Sequence, residues 1–465
     1  MKVLLTGCVR KKSQKSFVSI PKLGLGYIAT SLRKAGHDVL YLDCQKENME
    51  IKGFKEYLKL HKPDAIGLQV PSCDFSSALQ MTAACRETLP RSKVIAGGPH
   101  ISATGEEALK ALNNADFAFH GEAENGMVML LNYLEGKKDS LDKIPGLIYR
   151  HEDGIRVNKA CFPADIDSLG FPSWDLLKPE SYLTAPHGAF FKQTPAASII
   201  TTRGCPYSCA YCSVKFNTGN ILRKRSIPHI MEEIKLLRKE HGIKEIHIED
   251  DNFTFHRAFV EEFCLSMMKE NPGITWALPN GIRLDTIDEN LLKLMEKAGC
   301  YSTAVGIESG SPRILSEMNR SVTLEKMIEK VNLISSSTNI RITGAFILGF
   351  PAETHRDLDS TIDLAVKLPL NRAYFGLFMP YPGTEVFQSL VLSGKLDPKK
   401  ICWDICLSNM TIIPPDEVSK KELRSYRNKA YWKFYSRPKI FLPILKEIRL
   451  KNLPNIVKRI VDSFF

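Results

Sequence analysis

The chain has 465 residues, 44% of them hydrophobic and 25% charged, with a formal net charge of +11. That length is more than one hydrophobic core organises and implies two or three domains, and the composition excludes an intrinsically disordered chain. No stretch approaches the run of about eighteen apolar residues that spans a membrane, and MKVLLTGCVRKK holds too short an apolar segment for a secretory leader, so a cytoplasmic location is expected.

Over residues 1–145, short apolar runs alternate with helical patterns. KVLLTG, DVLYLDC, AIGLQV, KVIAGG and FAFHGEA read as strands, with LGYIATSLRKAG and SSALQMTAACRETL as helices between them. Such alternation makes a parallel, Rossmann-like α/β sheet. Residues 146–190 read as a connector between domains: GLIYRHEDGIRVN predicts a hairpin turning at Asp153 and Gly154, and DSLGFPSWDLL is punctuated by prolines.

Six further strands follow over residues 191–395: ASIITTRG, KEIHIEDD, TWALPNGIR, STAVGIESG, RITGAFILGF and RAYFGLFMP. Helical stretches such as HIMEEIKLLRKEHG lie between them and end on glycines placed as C-caps. Six βα units fit an incomplete TIM-like barrel, in which chemistry gathers at the carboxyl ends of the strands. Residues 396–465 form a basic, helical C-terminal region, with 12 Lys plus Arg against 3 Asp plus Glu from Lys421 to Phe465. Its mixture of Phe, Leu and Ile with Lys and Arg suits either a helical subdomain packed on the body or peripheral attachment to an anionic membrane. Pro443 and Pro454 are expected to interrupt any long helix there.

The 12 cysteines read as reduced thiols or metal ligands. In RGCPYSCAYCS, residues 203–213, Cys205, Cys209 and Cys212 stand directly after the first strand of the second series. A structural zinc site closes with four ligands and a ferredoxin-type loop brings a fourth cysteine; here there is neither a second C-x-x-C pair nor a fourth cysteine nearby. Three thiolates on a [4Fe-4S] cube would leave one iron open to an exogenous ligand. Cys8, Cys44, Cys73, Cys85, Cys161, Cys264 and Cys300 read as buried apolar residues, and Cys402 and Cys406 in CWDIC, one helical turn apart, as core or as a metal pair.

The spacing C-x3-C-x2-C ahead of a βα series resembles the radical S-adenosylmethionine superfamily. The resemblance implies that S-adenosylmethionine chelates the open iron through its amino and carboxylate groups. An electron from the cluster then splits the sulfonium into methionine and a 5′-deoxyadenosyl radical, which takes a hydrogen from the substrate. A reductant such as flavodoxin or ferredoxin is implied as electron donor. Carried over to matching positions, the resemblance puts Tyr211 beside the adenine and Asp250, Asp251 and Asn252 of EDDNFT near the methionyl moiety. Within GIESGSPRILSEMNR it directs Glu308 and Ser309 toward the ribose and Arg320 toward the carboxylate, and in GAFILGFPAET it makes Gly344 and Gly349 the places where backbone approaches the nucleoside. Arg283 and Asp285 in NGIRLD read equally as a structural ion pair or a substrate contact.

In the first domain PKLGLGYIATSLRKAGHDV, GGPH and GEAENG place glycines at the carboxyl edge of the sheet, where a ligand comes close to backbone. Together they resemble the cobalamin-binding subgroup of radical enzymes, over residues 1–395 when the barrel is included. The resemblance implies cobalamin contacts from Leu23, Gly24, Gly26, Tyr27, Gly97, Gly98, Pro99, His100, Gly121 and Glu122. The D-x-H-x-x-G loop of other cobalamin domains is missing, so no lower axial histidine is expected, and His100 reads as a ligand or as a hydrogen-bonded loop residue. Ala123 stands in GEAE where GEGE is commoner and could narrow the room for the ligand.

The implied reaction is methylation of an unactivated carbon of a small-molecule or lipid-like substrate through methylcobalamin. Cyclisation, rearrangement or carbon–carbon coupling without methyl transfer stands beside it. Transfer-RNA methylthiotransferases carry three N-terminal cysteines, as Cys8, Cys44 and Cys73 stand here, but end in a small β-rich RNA-binding domain where this tail reads as helical. No nucleic-acid partner is therefore expected. A non-catalytic iron–sulfur or cobalamin carrier would have no use for strand ends that contact a nucleoside.

Overall fold

The structure, a computed structural model, describes residues 1–10, 20–137, 140–182, 191–407 and 410–447. Its first sheet contains β1 (Lys2–Gly7), β2 (Asp38–Leu42), β3 (Ala65–Gln69), β4 (Lys93–Gly97) and β5 (Phe117–Phe119), parallel in the order β2-β1-β3-β4-β5. Helices cover both faces, so Val3, Leu4 and Leu5 of β1 are all buried and the strand reads as a continuous apolar run. The order reverses between β1 and β3, the kind of switch point where a ligand crevice opens at the carboxyl edge.

The hairpin turns where the sequence places it, but it is not a connector between domains. Its strands β6 (Leu147–His151) and β7 (Gly154–Val157) extend the first sheet antiparallel to β5. Ile148 packs into the core on one face of that sheet and Leu147 and Tyr149 into the core on the other, which carries the first sheet beyond residue 145.

The second sheet is the expected open barrel. Strands β8 (Ala196–Ile199), β11 (Glu245–Ile248), β12 (Thr275–Ile282), β13 (Cys300–Glu308), β14 (Arg341–Leu348) and β15 (Arg372–Leu377) lie parallel and in sequence order. A short ribbon of β9 (Thr202–Arg203) and β10 (Arg223–Lys224) stands apart at the carboxyl end. Along β13 and β14 buried and half-buried residues alternate, one set under the helices and the other facing the barrel interior. The helix Ile227–His241 starts on a Ser226 cap and ends on Gly242 at φ +62°, as its sequence signals predict.

The outer edge of β15 is closed by the basic tail. From the helix Lys420–Tyr435, the Tyr431 hydroxyl accepts the Phe375 amide at 3.2 Å, and the Tyr435 hydroxyl accepts from the Ala373 amide and donates to its carbonyl at 3.2 and 2.9 Å. These bonds occupy backbone groups that an open edge would present to solvent or to another chain. Leu423, Ala430 and Phe434 of the same helix are buried against the barrel, which makes this part of the tail a packed subdomain. Pro443 lies inside the helix Pro438–Glu447 and does not end it, while Pro454 falls outside the described residues. Among the described residues no helix is long and apolar enough to cross a membrane.

Cys8, Cys44, Cys85, Cys264 and Cys300 are buried as expected. Cys73 is only half-buried, and Cys161 and Cys402 are exposed because both lie in irregular segments with no core face. The side chain of Cys406 lies outside the described residues.

Candidate active site

The loop with the three spaced cysteines is held at both ends. Asp250, after β11, is buried and accepts the Thr201 amide at 2.6 Å and the Thr201 and Thr202 hydroxyls at 2.5 and 2.8 Å. Burial lifts its carboxyl to about 6 against the pull of these donors. Its oxygens serve the turn that leads into the loop and do not face a methionyl group as the sequence suggests. Gly204 follows at φ +94°, where a Cβ would stand 2.3 Å from the Ile221 carbonyl oxygen, so only glycine fits. Beyond it the Cys205 amide donates to Gly219, the Ala210 amide to Met318, and the Asn319 side-chain amide to Ser208. The Arg283 guanidinium lies 3.4 Å from the centroid of the Tyr207 ring and makes two bonds of 2.9 Å to Asp285. NGIRLD therefore forms an ion pair stacked on the cysteine loop.

Cys205, Cys209 and Cys212 are half-buried free thiols, and burial pushes Cys212 up to about 11, so a bound cation is what would make it a thiolate. With Zn–S bonds near 2.3 Å, a tetrahedral zinc gathers its sulfurs to about 3.8 Å from one another. Among the described residues no three Cys, His, Asp or Glu side chains close to the shell of a single ion. Three thiols spread along one loop suit a cube, whose irons each take a separate thiolate.

Beside Cys209 the barrel brings Tyr211, Glu308 and Arg320 together. Glu308 ends β13 at φ +66°, a conformation that costs a residue with a side chain and marks a constrained position. Burial raises its carboxyl, opposed by the neighbouring Arg320 charge and the Tyr211 hydroxyl. Arg320 donates to the Gly306 carbonyl at 2.8 Å, reaches the Cys209 sulfur at 3.7 Å and leaves its buried Nε without a partner. Asn252 is 2% exposed, and neither its amide nitrogen nor its oxygen has a partner. Orphaned buried groups beside an anchored thiol loop fit a polar ligand that completes them.

Three expected residues are used otherwise. Ser309 is fully buried; its hydroxyl lies 3.2 Å from that of Thr361 and accepts the Ser311 amide, opening the helix Pro312–Glu317 and facing no ribose. A Cβ on Gly344 would meet Leu370 at 2.6 Å, and one on Gly349 would meet Leu423 at 2.4 Å. The space these glycines free is taken by protein side chains.

The amides of Gly349 and Phe350 donate to Glu353 Oε2, while Oε1 is buried without a partner and burial lifts the carboxyl to about 8. From its ordinary value near 4.5 up to about 8, the folded chain holds a proton that the unfolded chain has lost, so stability falls as pH rises through that window. Glu353→Gln is expected to flatten this part of the stability–pH curve, measured by denaturant unfolding; an unchanged slope would refute the assignment.

An open cavity of about 300 Å³ lies between the carboxyl edge of the first sheet and the barrel. Of the expected cobalamin residues, Gly24, Gly97, Gly98, Pro99, Gly121 and Glu122 line it. Gly98 holds φ +101°, with a Cβ position 3.0 Å from the Val70 amide, whereas a Cβ on Gly97 would meet nothing nearer than 3.8 Å. At Gly24 and Gly97 a side chain would enter the cavity, whereas a Cβ on Gly98 or Gly121 would meet Val70 or Ala160 and Phe162, so the wall is a backbone cradle open to a ligand at the first two positions. Ala123 also lines the wall.

The other four expected contacts point elsewhere. Leu23 joins the barrel core, Gly26 packs under Pro172 and Leu177, and Tyr27 is buried with the Arg203 guanidinium 4.7 Å from its ring centroid. His100 is buried between the Phe75 and Trp403 rings, with Nδ1 3.0 Å from the Ser72 hydroxyl, and burial lowers it to about 4. It is a neutral packed residue. Asp251 lines the cavity wall and accepts the Thr218 hydroxyl at 2.9 Å. Sequence reasoning missed Gln69, Glu124 and Arg203, which also line the cavity. Arg203 had a signal, a cation directly ahead of the Gly-Cys that opens the loop.

Residues 199–365 match the Radical SAM superfamily and residues 15–131 the B12 binding domain. An uncharacterized methyltransferase of Pyrococcus horikoshii is 29% identical over 446 residues, which is 95% of this chain and 94% of that protein. The anaerobic magnesium-protoporphyrin IX monomethyl ester cyclase of Rubrivivax gelatinosus is 26% identical over 455 residues, 96% of this chain and 79% of the cyclase. Among solved structures, the radical S-adenosylmethionine methyltransferase TsrM from Kitasatospora setae, with cobalamin and a [4Fe-4S] cluster bound, superposes with a TM-score of 0.68 at 19% identity. That match covers 84% of this chain and 75% of TsrM and shows a common fold. Both domain matches fall on the two sheets that face this cavity, so the chain carries a B12-binding domain ahead of a Radical SAM domain.

Proposed function

We propose that the enzyme methylates an unactivated carbon of a small-molecule substrate. When bound, a [4Fe-4S] cluster would supply the electron that splits one S-adenosylmethionine into methionine and a hydrogen-abstracting radical, and cobalamin would carry the methyl group of a second S-adenosylmethionine, which leaves as S-adenosylhomocysteine. Cys205, Cys209 and Cys212 hold the cluster. Tyr211, Asn252, Glu308 and Arg320 orient S-adenosylmethionine, with Arg320 giving the charge that its carboxylate needs. The cradle of Gly24, Gly97, Gly98 and Gly121 seats cobalamin, and the apolar walls around it exclude water from a reaction that water would quench. Positioning is the protein's share of the catalysis.

One observation carries this reading: the cradle and the cysteine loop meet at a common wall, since Arg203 and Thr202 line the cavity and Cys205 follows two residues after Arg203. Cyclisation without methyl transfer is the second reading, favoured by the similarity to the cyclase along nearly the whole chain. The test incubates reduced, cluster-loaded, cobalamin-loaded enzyme with methyl-deuterated S-adenosylmethionine and a small-molecule extract of the host. Methyl transfer yields S-adenosylhomocysteine together with 5′-deoxyadenosine and a deuteromethylated product. Formation of 5′-deoxyadenosine alone, with an unlabelled product, would replace methylation by cyclisation. A lipid substrate met at an anionic membrane is a further possibility for the basic tail; unchanged liposome co-sedimentation after truncation at Lys439 would remove it.

A further inference from the structure

The common wall contains a buried ion network that neither cofactor accounts for. Glu122 receives two bonds from Arg223, at 2.6 and 2.9 Å, and lies 3.3 Å from the Arg203 guanidinium. The same Arg203 nitrogen donates to Glu124 at 2.8 Å. All four side chains are at most 7% exposed. Glu122 comes from the loop after β5 and Glu124 from the first turn of the helix Glu124–Leu134, both on the side of the first sheet, and both guanidinium groups come from the β9–β10 ribbon, on the barrel side. Arg203 and Arg223 are direct partners across that ribbon. Its first strand runs straight into Gly204 and Cys205, and the Cys205 amide bonds to Gly219 just ahead of the second strand.

A charge-balanced network of this kind has little freedom to relax piecemeal. Moving one carboxylate leaves a buried guanidinium uncompensated, so the cheap response is for the ribbon to follow. Glu122, Glu124 and Arg203 also form part of the cavity lining, and a ligand seated there meets the network itself.

We infer that the Arg203–Arg223–Glu122–Glu124 network couples cavity occupancy to the geometry of the cysteine loop, so that cobalamin and the iron–sulfur cluster strengthen each other's binding. Arg203 is the central positioning residue, because it alone contacts both carboxylates and continues into the loop. The inference rests on the cavity being the seat of cobalamin.

Thermodynamic linkage supplies the test. The dissociation constant of hydroxocobalamin is measured anaerobically by absorbance, on full-length protein with its cluster reconstituted and on the same protein kept cluster-free. The wild type should bind about tenfold more tightly when the cluster is present, within the usual range of coupling between sites. In Arg203→Met both constants rise through lost contacts, but their ratio should fall to about one; Arg203→Lys should keep part of it. A purely structural arginine would weaken both forms equally and leave the ratio intact, which overturns the inference. A wild-type ratio of one overturns it without any variant, and so serves if Arg203→Met fails to fold. No cobalamin binding in either form would refute the cavity assignment instead.

Discussion

Replacing Cys209 by alanine is expected to reduce the cleavage of S-adenosylmethionine to 5′-deoxyadenosine at least about a thousandfold under strong reductant, the equivalent of about 4 kcal/mol or more of transition-state stabilisation. The middle cysteine is the strictest choice, because the loop is fixed around it: Ala210 is tied to Met318, Ser208 to Asn319, and Arg320 sits 3.7 Å from its sulfur. Cys8, Cys44 and Cys85 are buried in the first domain and Cys264 and Cys300 in the barrel core, so none of these five thiols replaces it. The expected variant is folded, low in iron and without the broad absorbance of a [4Fe-4S] cluster. Cys161→Ala and Cys402→Ala, at exposed positions, are the controls and should leave iron content and turnover unchanged. Undiminished 5′-deoxyadenosine from Cys209→Ala, or zinc in place of iron in anaerobically purified protein, would refute the assignment of the loop.

Much of this site was legible in the sequence for a physical reason. Strands buried on both faces, such as VLL of β1, appear as unbroken apolar runs, and three thiols carried by one loop keep their fixed spacing in the sequence. What depends on distant partners was not legible. The hairpin of β6 and β7 shows its turn locally, but not which sheet receives it. Gly344 and Gly349 show that a side chain is missing, and only the structure shows that Leu370 and Leu423 take the room. Ser309, Asp250 and His100 carry the right chemistry at strand ends or helix starts, yet each is satisfied by neighbours the sequence does not place beside it. The pairing of Arg203 with Glu124 spans 79 positions and two domains, with no local pattern to announce it.

The glycines of the cradle allow a cleaner separation of the two cofactors. A Cβ on Gly97 would lie 3.8 Å from the Phe119 carbonyl oxygen and 4.0 Å from its Cβ, ordinary contact distances, and Gly97 does not need a left-handed backbone. A larger side chain there can therefore be accommodated by the sheet while projecting into the cavity. Gly98, one residue on, would make a poor probe, because φ +101° and the 3.0 Å approach to the Val70 amide would strain any substitution and confuse misfolding with lost binding. Gly97→Leu is accordingly expected to weaken cobalamin binding by at least about a hundredfold, some 2.7 kcal/mol at the usual conversion, with the unfolding midpoint of the cofactor-free protein little changed. Iron content should fall only slightly, because a reciprocal coupling of about tenfold weakens cluster binding far less than loss of a thiolate does, and reductive formation of 5′-deoxyadenosine should persist while any methylated product disappears. Cobalamin bound with wild-type affinity by Gly97→Leu would place the corrin elsewhere and leave the cavity to the substrate. Loss of iron together with cobalamin would mean that the cradle and the cysteine loop cannot be perturbed separately.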